Sequence, residues 1–213
     1  AKRAWVHSLA SLDPDLVITT GDNIAAHDAV PALLDAYDRL LGIPGIFVLG
    51  SNDYFAPTLK NPLGYLTRNH AKGVGTTQRL PTADLLRGLG SRGWIDLTNR
   101  RDSITVRGLR IDVRGVDDPH LGYDRLDLVG GPASPDADLT LAVTHAPYLR
   151  VLDAYAADGA DLIVAGHTHG GQVCVPGYGA LVTNCDLDAG RVKGLSRWWP
   201  GAGGAPSSLA PQD

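Results

Sequence analysis

Apolar residues recur along this chain in short blocks, and the polar loops that close those blocks carry most of its chemistry. Trp5, Leu9 and Leu12 share one helical face, with Val6 beside it, and Pro14 stops the pattern after Asp13. The run Leu16-Val17-Ile18-Thr19-Thr20 predicts a buried strand that empties into Gly21-Asp22-Asn23. A second amphipathic helix is predicted with Leu33, Leu34, Tyr37, Leu40 and Leu41 on its apolar side and Gly42 at its end. Ile46-Phe47-Val48-Leu49 is the next strand, opening into Gly50-Ser51-Asn52-Asp53. Together these make a β-α-β unit with a polar loop after each strand, on the edge of an α/β sheet where ligands bind.

From Ala56 to about Leu80 the periodicity dissolves, as in a lid, a binding excursion or a disordered insert. Thr82 is placed to cap a short helix through Leu89. Three alternating segments, Trp94–Thr98, Ser103–Val106 and Leu109–Val113, predict half-buried antiparallel strands. Asp117-Asp118-Pro119-His120 then reads as a turn rather than a site. Leu139–Thr144 predicts a buried strand delivering His145, and after a helix from about Tyr148 to Ala157, Asp161–Ala165 predicts another. That strand delivers Gly166-His167-Thr168-His169-Gly170-Gly171-Gln172, followed by short strands at Val173–Val175 and Leu181–Thr183.

Composition adds limits. The 213 residues suit a single domain, set at residues 1–195, with a Gly-, Pro- and Ser-rich tail over 196–213 expected to be disordered. A net charge of -4 without a Lys/Arg block argues against nucleic acid as a partner. No apolar run approaches the length of a membrane span. Cys174 and Cys185 are too few for a disulfide framework and are expected as buried thiols. The chain has no Met and starts at Ala1, so a longer product is expected, with the cytoplasm as the expected compartment and peripheral membrane association left open.

The residues standing just after buried strands are Asp22, Asn52 with Asp53, His145, and His167 with His169. One carboxylate, one amide oxygen and three imidazoles suit Mn, Fe or Zn better than Mg or Ca. A carboxylate able to bridge suggests two metals roughly 3.5–4 Å apart.

The ordered series Gly21-Asp22-Asn23, Gly50-Ser51-Asn52-Asp53, Thr144-His145-Ala146-Pro147 and Gly166–Gln172 resembles the calcineurin-like metallophosphoesterases. It is most similar to the bacterial branch whose last motif reads GHTHGGQ, which includes phosphodiesterases and UDP-diacylglucosamine pyrophosphatases. The resemblance implies an α/β four-layer sandwich, two mixed sheets face to face with helices outside. It implies two divalent or trivalent ions, with Asp22 bridging, Asn52, His145 and His167 on the second ion, and His169 on the first. Three departures stand out. The family's opening Asp-x-His motif and its first strand have no counterpart here. Gly-Ser-Asn-Asp replaces Gly-Asn-His-Asp, which removes the leaving-group acid. We read Asn52 as ligand, with Asp53 in the place of that His, over a register that makes Ser51 the ligand. The closing strands of the family are replaced by the low-complexity tail.

What the resemblance implies is hydrolysis of a phosphodiester or pyrophosphate by a metal-bridging hydroxide, with Asp22, Asn52, His145 and Asp53 as catalytic residues. The substrate expected is a small phosphoester, lipid- or nucleotide-linked, with His120, His70 or Asp53 as alternative proton sources. The second reading is a non-catalytic or truncated relative that keeps the fold and a metal as a binding module.

Overall fold

The computed structural model describes residues 2–57, 78–171, 173–175 and 179–204. The lid or excursion expected between Ala56 and Leu80, with His70 in it, lies mostly outside them, as do Gln172 and the last nine residues of the tail.

Two sheets form the frame. The first has β1 (Val17–Thr19), β2 (Gly45–Phe47) and β3 (Ile95–Asp96) in that order, all parallel. The second has β4 (Arg100–Val106), β5 (Leu109–Gly115), β6 (Leu139–Thr144) and β7 (Leu162–Ala165), antiparallel at β4/β5 and parallel from β5 to β7. The β4–β5 turn is Arg107-Gly108 with φ of 48° and 85°, the left-handed pair that suits a two-residue hairpin. The small ribbon β8 (Val173–Val175) and β9 (Gly179–Val182) follows.

Three apolar layers show how these parts stack. Ile46, Val48 and Leu97 from the first sheet pack with Ile111, Val113, Leu141 and Val143 from the second, so the sheets lie face to face. Phe47, Leu49 and Trp94, on the first sheet's outer side, pack with α1 (Lys2–Leu9), α2 (Ala29–Tyr37) and α4 (Thr82–Gly90) through Val6, Leu9, Val30, Leu34, Leu85 and Leu89. Ala142 and Val116, outside the second sheet, pack with Val129 of α5 (Leu126–Val129) and Val151 and Tyr155 of α6 (Leu149–Ala157). The expected four-layer α/β sandwich is thus present.

Several expectations need correction. The first sheet is all parallel, because Trp94–Thr98 joins it as β3 beside β2 and takes no part in the β4–β5 hairpin. Trp5 and Leu12 are 64% and 74% exposed, since α1 turns Val6 and Leu9 to the core. Cys174 is exposed and Cys185 half-buried, both as free thiols. The first part of the tail is packed: Ala202 is fully buried, and Asp153 of α6 accepts from Trp198 Nε1 (2.9 Å) and the Gly201 N–H (3.1 Å). Among the described residues no helix is long and apolar enough to cross a membrane.

Candidate active site

Because β1, β2, β5, β6 and β7 run in matching parallel senses within their sheets, their carboxyl ends deliver loops to shared edges. Asp22 follows β1, Asn52 and Asp53 sit in the single-turn helix α3 (Ser51–Tyr54) after β2, and His145 and His167 follow β6 and β7. Asp22, His167 and His169 all adopt left-handed backbone, with φ of 58°, 65° and 52°. Such conformations cost about 1–3 kcal/mol each in non-glycine residues and gather where geometry serves a site.

The loops interlock closely. Asp22 accepts from the Asn52 N–H at Oδ1 (2.8 Å) and from Asn52 Nδ2 at Oδ2 (3.1 Å). A Cβ on Gly50 would lie 2.6 Å from both Asp22 Oδ1 and His145 Nδ1, so only glycine lets these side chains pass over it.

Protonation follows from the carbonyls. His145 Nδ1 is 2.6 Å from Thr20 O, which can only accept, so Nδ1 carries a proton and donates to it. His167 Nε2 lies 3.2 Å from Asn184 O and equally far from Asn184 Nδ2. The carbonyl decides, because a side-chain amide can be turned and a backbone carbonyl cannot. His167 Nδ1 is therefore bare, and it faces His145 Nε2 at 3.1 Å. Burial, then the charges of His145 and His120, push His167 down to about 4, which keeps it neutral. Asp22 Oδ1 stands 3.6 Å from the same His145 Nε2.

Either a proton on His145 Nε2 or a metal cation joins that nitrogen to the bare His167 Nδ1. Metal–nitrogen bonds of roughly 2.1 Å put neighbouring ligand nitrogens about 3.0–3.4 Å apart, so the pair fits one ion. Each imidazole also donates its other N–H to a backbone carbonyl, the arrangement that orients metal-ligating histidines. The rest of the expected set is not assembled. His169 is exposed, and among the described residues no hydrogen bond joins it to Asp22. Nor, among those residues, do three or more His, Cys, Asp or Glu side chains close into a metal shell.

Asp53 has a different place from the one expected of a ligand or acid. It is fully buried, and its carboxylate accepts from the N–H groups of Asp22 (2.9 Å), Asn23 (2.7 Å), Ile24 (3.2 Å) and Gly50 (2.9 Å). Burial pushes its carboxyl up, and the Gly50 and Asn23 N–H groups work against that. Thr82 does not cap α4; its hydroxyl donates to Asp53 O (2.6 Å).

The turn at Asp117–His120 belongs to the site, against expectation. Asp117 is engaged by the Tyr54 hydroxyl at 2.9 Å, whereas Asp118 is buried beside His145 and Asp22 and accepts from Ser51. Burial raises Asp118 to about 6 despite the opposing pull of His145, and its Oδ2 lacks a hydrogen-bond partner among the described residues. The His120 ring lies 4.6 Å from that of His167, with Nδ1 3.1 Å from the Tyr148 hydroxyl. The turn reaches the site because β5 runs parallel to β6, so the loop after β5 opens on the edge that carries His145.

A layered α/β protein with histidines and a carboxylate gathered at strand carboxyl ends is the class defined by this fold and site. The chain belongs to the Calcineurin-like phosphoesterase (Metallophos) family, whose profile matches residues 1–171. Members of that family are generally metal-dependent phosphoesterases and typically bind two divalent ions. The chain is also 29% identical over 164 residues to the uncharacterized protein YpbG of Bacillus subtilis (strain 168). That match covers 75% of this chain and 52% of the relative, so the chain spans about half the relative's length.

Proposed function

We propose that the chain hydrolyses a phosphodiester or pyrophosphate bond with the help of metal ions, of the Mn, Fe or Zn type. The observation that carries this is the pair of ring nitrogens, His145 Nε2 and His167 Nδ1, facing each other at 3.1 Å beside Asp22. His145, His167, Asp22 and the Asn52 amide oxygen hold one ion in this reading, and Asp22 with His169 serves the second. When bound, the ions supply Lewis acidity, polarising a phosphoryl oxygen and lowering the pKa of the attacking water.

The chain's own residues then have distinct tasks. Thr20 O and Asn184 O fix the tautomers of the two histidines, and Asp53 holds the two loops in register. His120, beside His167 and bonded to Tyr148, is the proton source for the leaving group, with Asp118 beneath its backbone N–H. A small substrate with a lipid- or nucleotide-linked leaving group suits a site without the family's usual acid.

The test is metal content together with turnover of purified protein supplied with Mn. The expected outcome is bound metal, lost in His145→Ala and His167→Ala along with about 100-fold or more in turnover of an aryl phosphodiester. His120→Ala should slow an alkyl-leaving substrate more than the aryl one. Protein that binds no metal and hydrolyses neither substrate would overturn the reading.

A further inference from the structure

Beyond the strand edges, a cavity of about 670 Å³ opens between β7, α6 and the segment that follows β9. Its size is that of small-molecule sites, which range over roughly 300–1,000 Å³. Leu152 of α6, Leu162 of β7, and Leu187, Val192, Leu195 and Trp198 beyond β9 give it an apolar side. Three cations, Arg191, Lys193 and Arg197, share that lining, and the first is buried. Arg191 is only 6% exposed, and its guanidinium carbon sits 5.3 Å from the Trp198 ring and 5.8 Å from the Trp199 ring. Its Nη1 donates to Arg197 O at 2.8 Å, whereas Nε and Nη2 have no hydrogen-bond partner among the described residues.

Nε and Nη2 are themselves closed to solvent, so an anion in the cavity meets the guanidinium's positive charge, joined by Lys193 and Arg197 on the same lining, rather than hydrogen bonds to both donors. No acidic side chain of the described residues forms an ion pair with Arg191. Asp161, on the cavity wall, already accepts from the Thr140 N–H at 2.8 Å. Lys193 adds exposed positive charge on the same wall.

We propose that this cavity binds an amphipathic anion, a carboxylate or phosphate monoester bearing an apolar chain, with its head on Arg191 and its chain along the leucines. The site is separate from the proposed metal centre and does not depend on hydrolysis. It adjoins that centre through Thr168, which lies between His167 and His169, lines the cavity and donates to Val192 O at 2.7 Å.

The experiment is binding to the purified chain, followed by calorimetry and by Trp emission, since Trp198 and Trp199 line the cavity. Probes are dodecanoate, dodecyl phosphate, inorganic phosphate, dodecanol and dodecyltrimethylammonium, each below its micellar concentration. Dodecanoate and dodecyl phosphate should bind one per chain, about tenfold or more tighter than dodecanol or dodecyltrimethylammonium. Dodecanoate contains no phosphorus, so its binding is unaffected should the proposed hydrolysis fail. Arg191→Gln should abolish the preference for the anionic head. Should that variant not fold, Leu162→Glu, at a part-exposed wall position, should weaken both anionic amphiphiles about tenfold. Equal binding of alcohol and carboxylate, or inorganic phosphate binding as tightly as dodecyl phosphate, would overturn the proposal.

Discussion

Asp112 shows at the scale of one residue how a buried charge depends on its neighbours. Its carboxylate accepts from Arg101 Nη2 at 2.9 Å and the Ser134 N–H at 3.0 Å, and Arg114, fully buried, stands 3.3 Å away. Burial acts to raise the carboxyl, but the Ser134 N–H and the Arg101 and Arg114 guanidinium groups outweigh it and hold it below the usual range. A depressed folded value means that the unfolded chain binds the proton more readily. The stabilisation is therefore fully present above about pH 4, the unfolded value, and is lost as pH falls through the folded one. Asp112→Asn should cost about 3 kcal/mol at neutral pH, because Arg114 is left buried with Asp158 at 3.5 Å as its one remaining counter-charge among the described residues. Urea unfolding from pH 7 to 3 should show native stability falling at the acid end and a flatter profile in the variant. Asp118 carries a different lesson. Two acids before a proline look like a turn, and the turn is there, yet one acid faces Tyr54 and the other faces His145.

Between elements, Asp53 is the fastening. The carboxylate of one residue in α3 collects N–H groups from the loop after β1 and from the start of its own turn. Asp53→Asn replaces one acceptor oxygen by a donor facing those N–H groups. The expected loss is about 2–4 kcal/mol by urea unfolding, with metal affinity falling because Asp22 and Asn52 lose register. Unchanged stability in the variant would contradict the fastening role. The strand ends explain why His145 and His167 could be located from sequence. A buried β-branched run ending in a polar residue has one edge on which to place it. Asp118 and His120 escaped because the segment before them alternates like an antiparallel hairpin, which it forms with β4, while its other neighbour β6 is parallel.

For the whole molecule the face-to-face sheets matter most. Leu141 lies 2% exposed between them, whereas Leu12 is 74% exposed. Leu141→Ala should cost about 2–5 kcal/mol and Leu12→Ala about 0.5 kcal/mol or less, read from thermal or urea unfolding. Equal costs would contradict the exposed position of Leu12. The periodicity of Trp5, Leu9 and Leu12 correctly predicted a helix there, but the apolar face that docks contains Val6 and Leu9. A helical stripe wider than its docking surface leaves some apolar residues outside, and only the neighbouring helix decides which.

By itself the sequence determined most of the strands and the longer helices, and it placed Asp22, His145 and His167 at strand ends, because period and β-branching are local properties of the chain. Only the tertiary structure decided that β3 joins the first sheet, that Asp53 fastens loops, and that Asp118 and His120 stand beside the histidines. It also set Arg191 on a cavity wall beside two tryptophans. These outcomes depend on pairing and burial between residues far apart in the chain, and no local pattern specifies which distant partner a strand edge or a buried charge will meet.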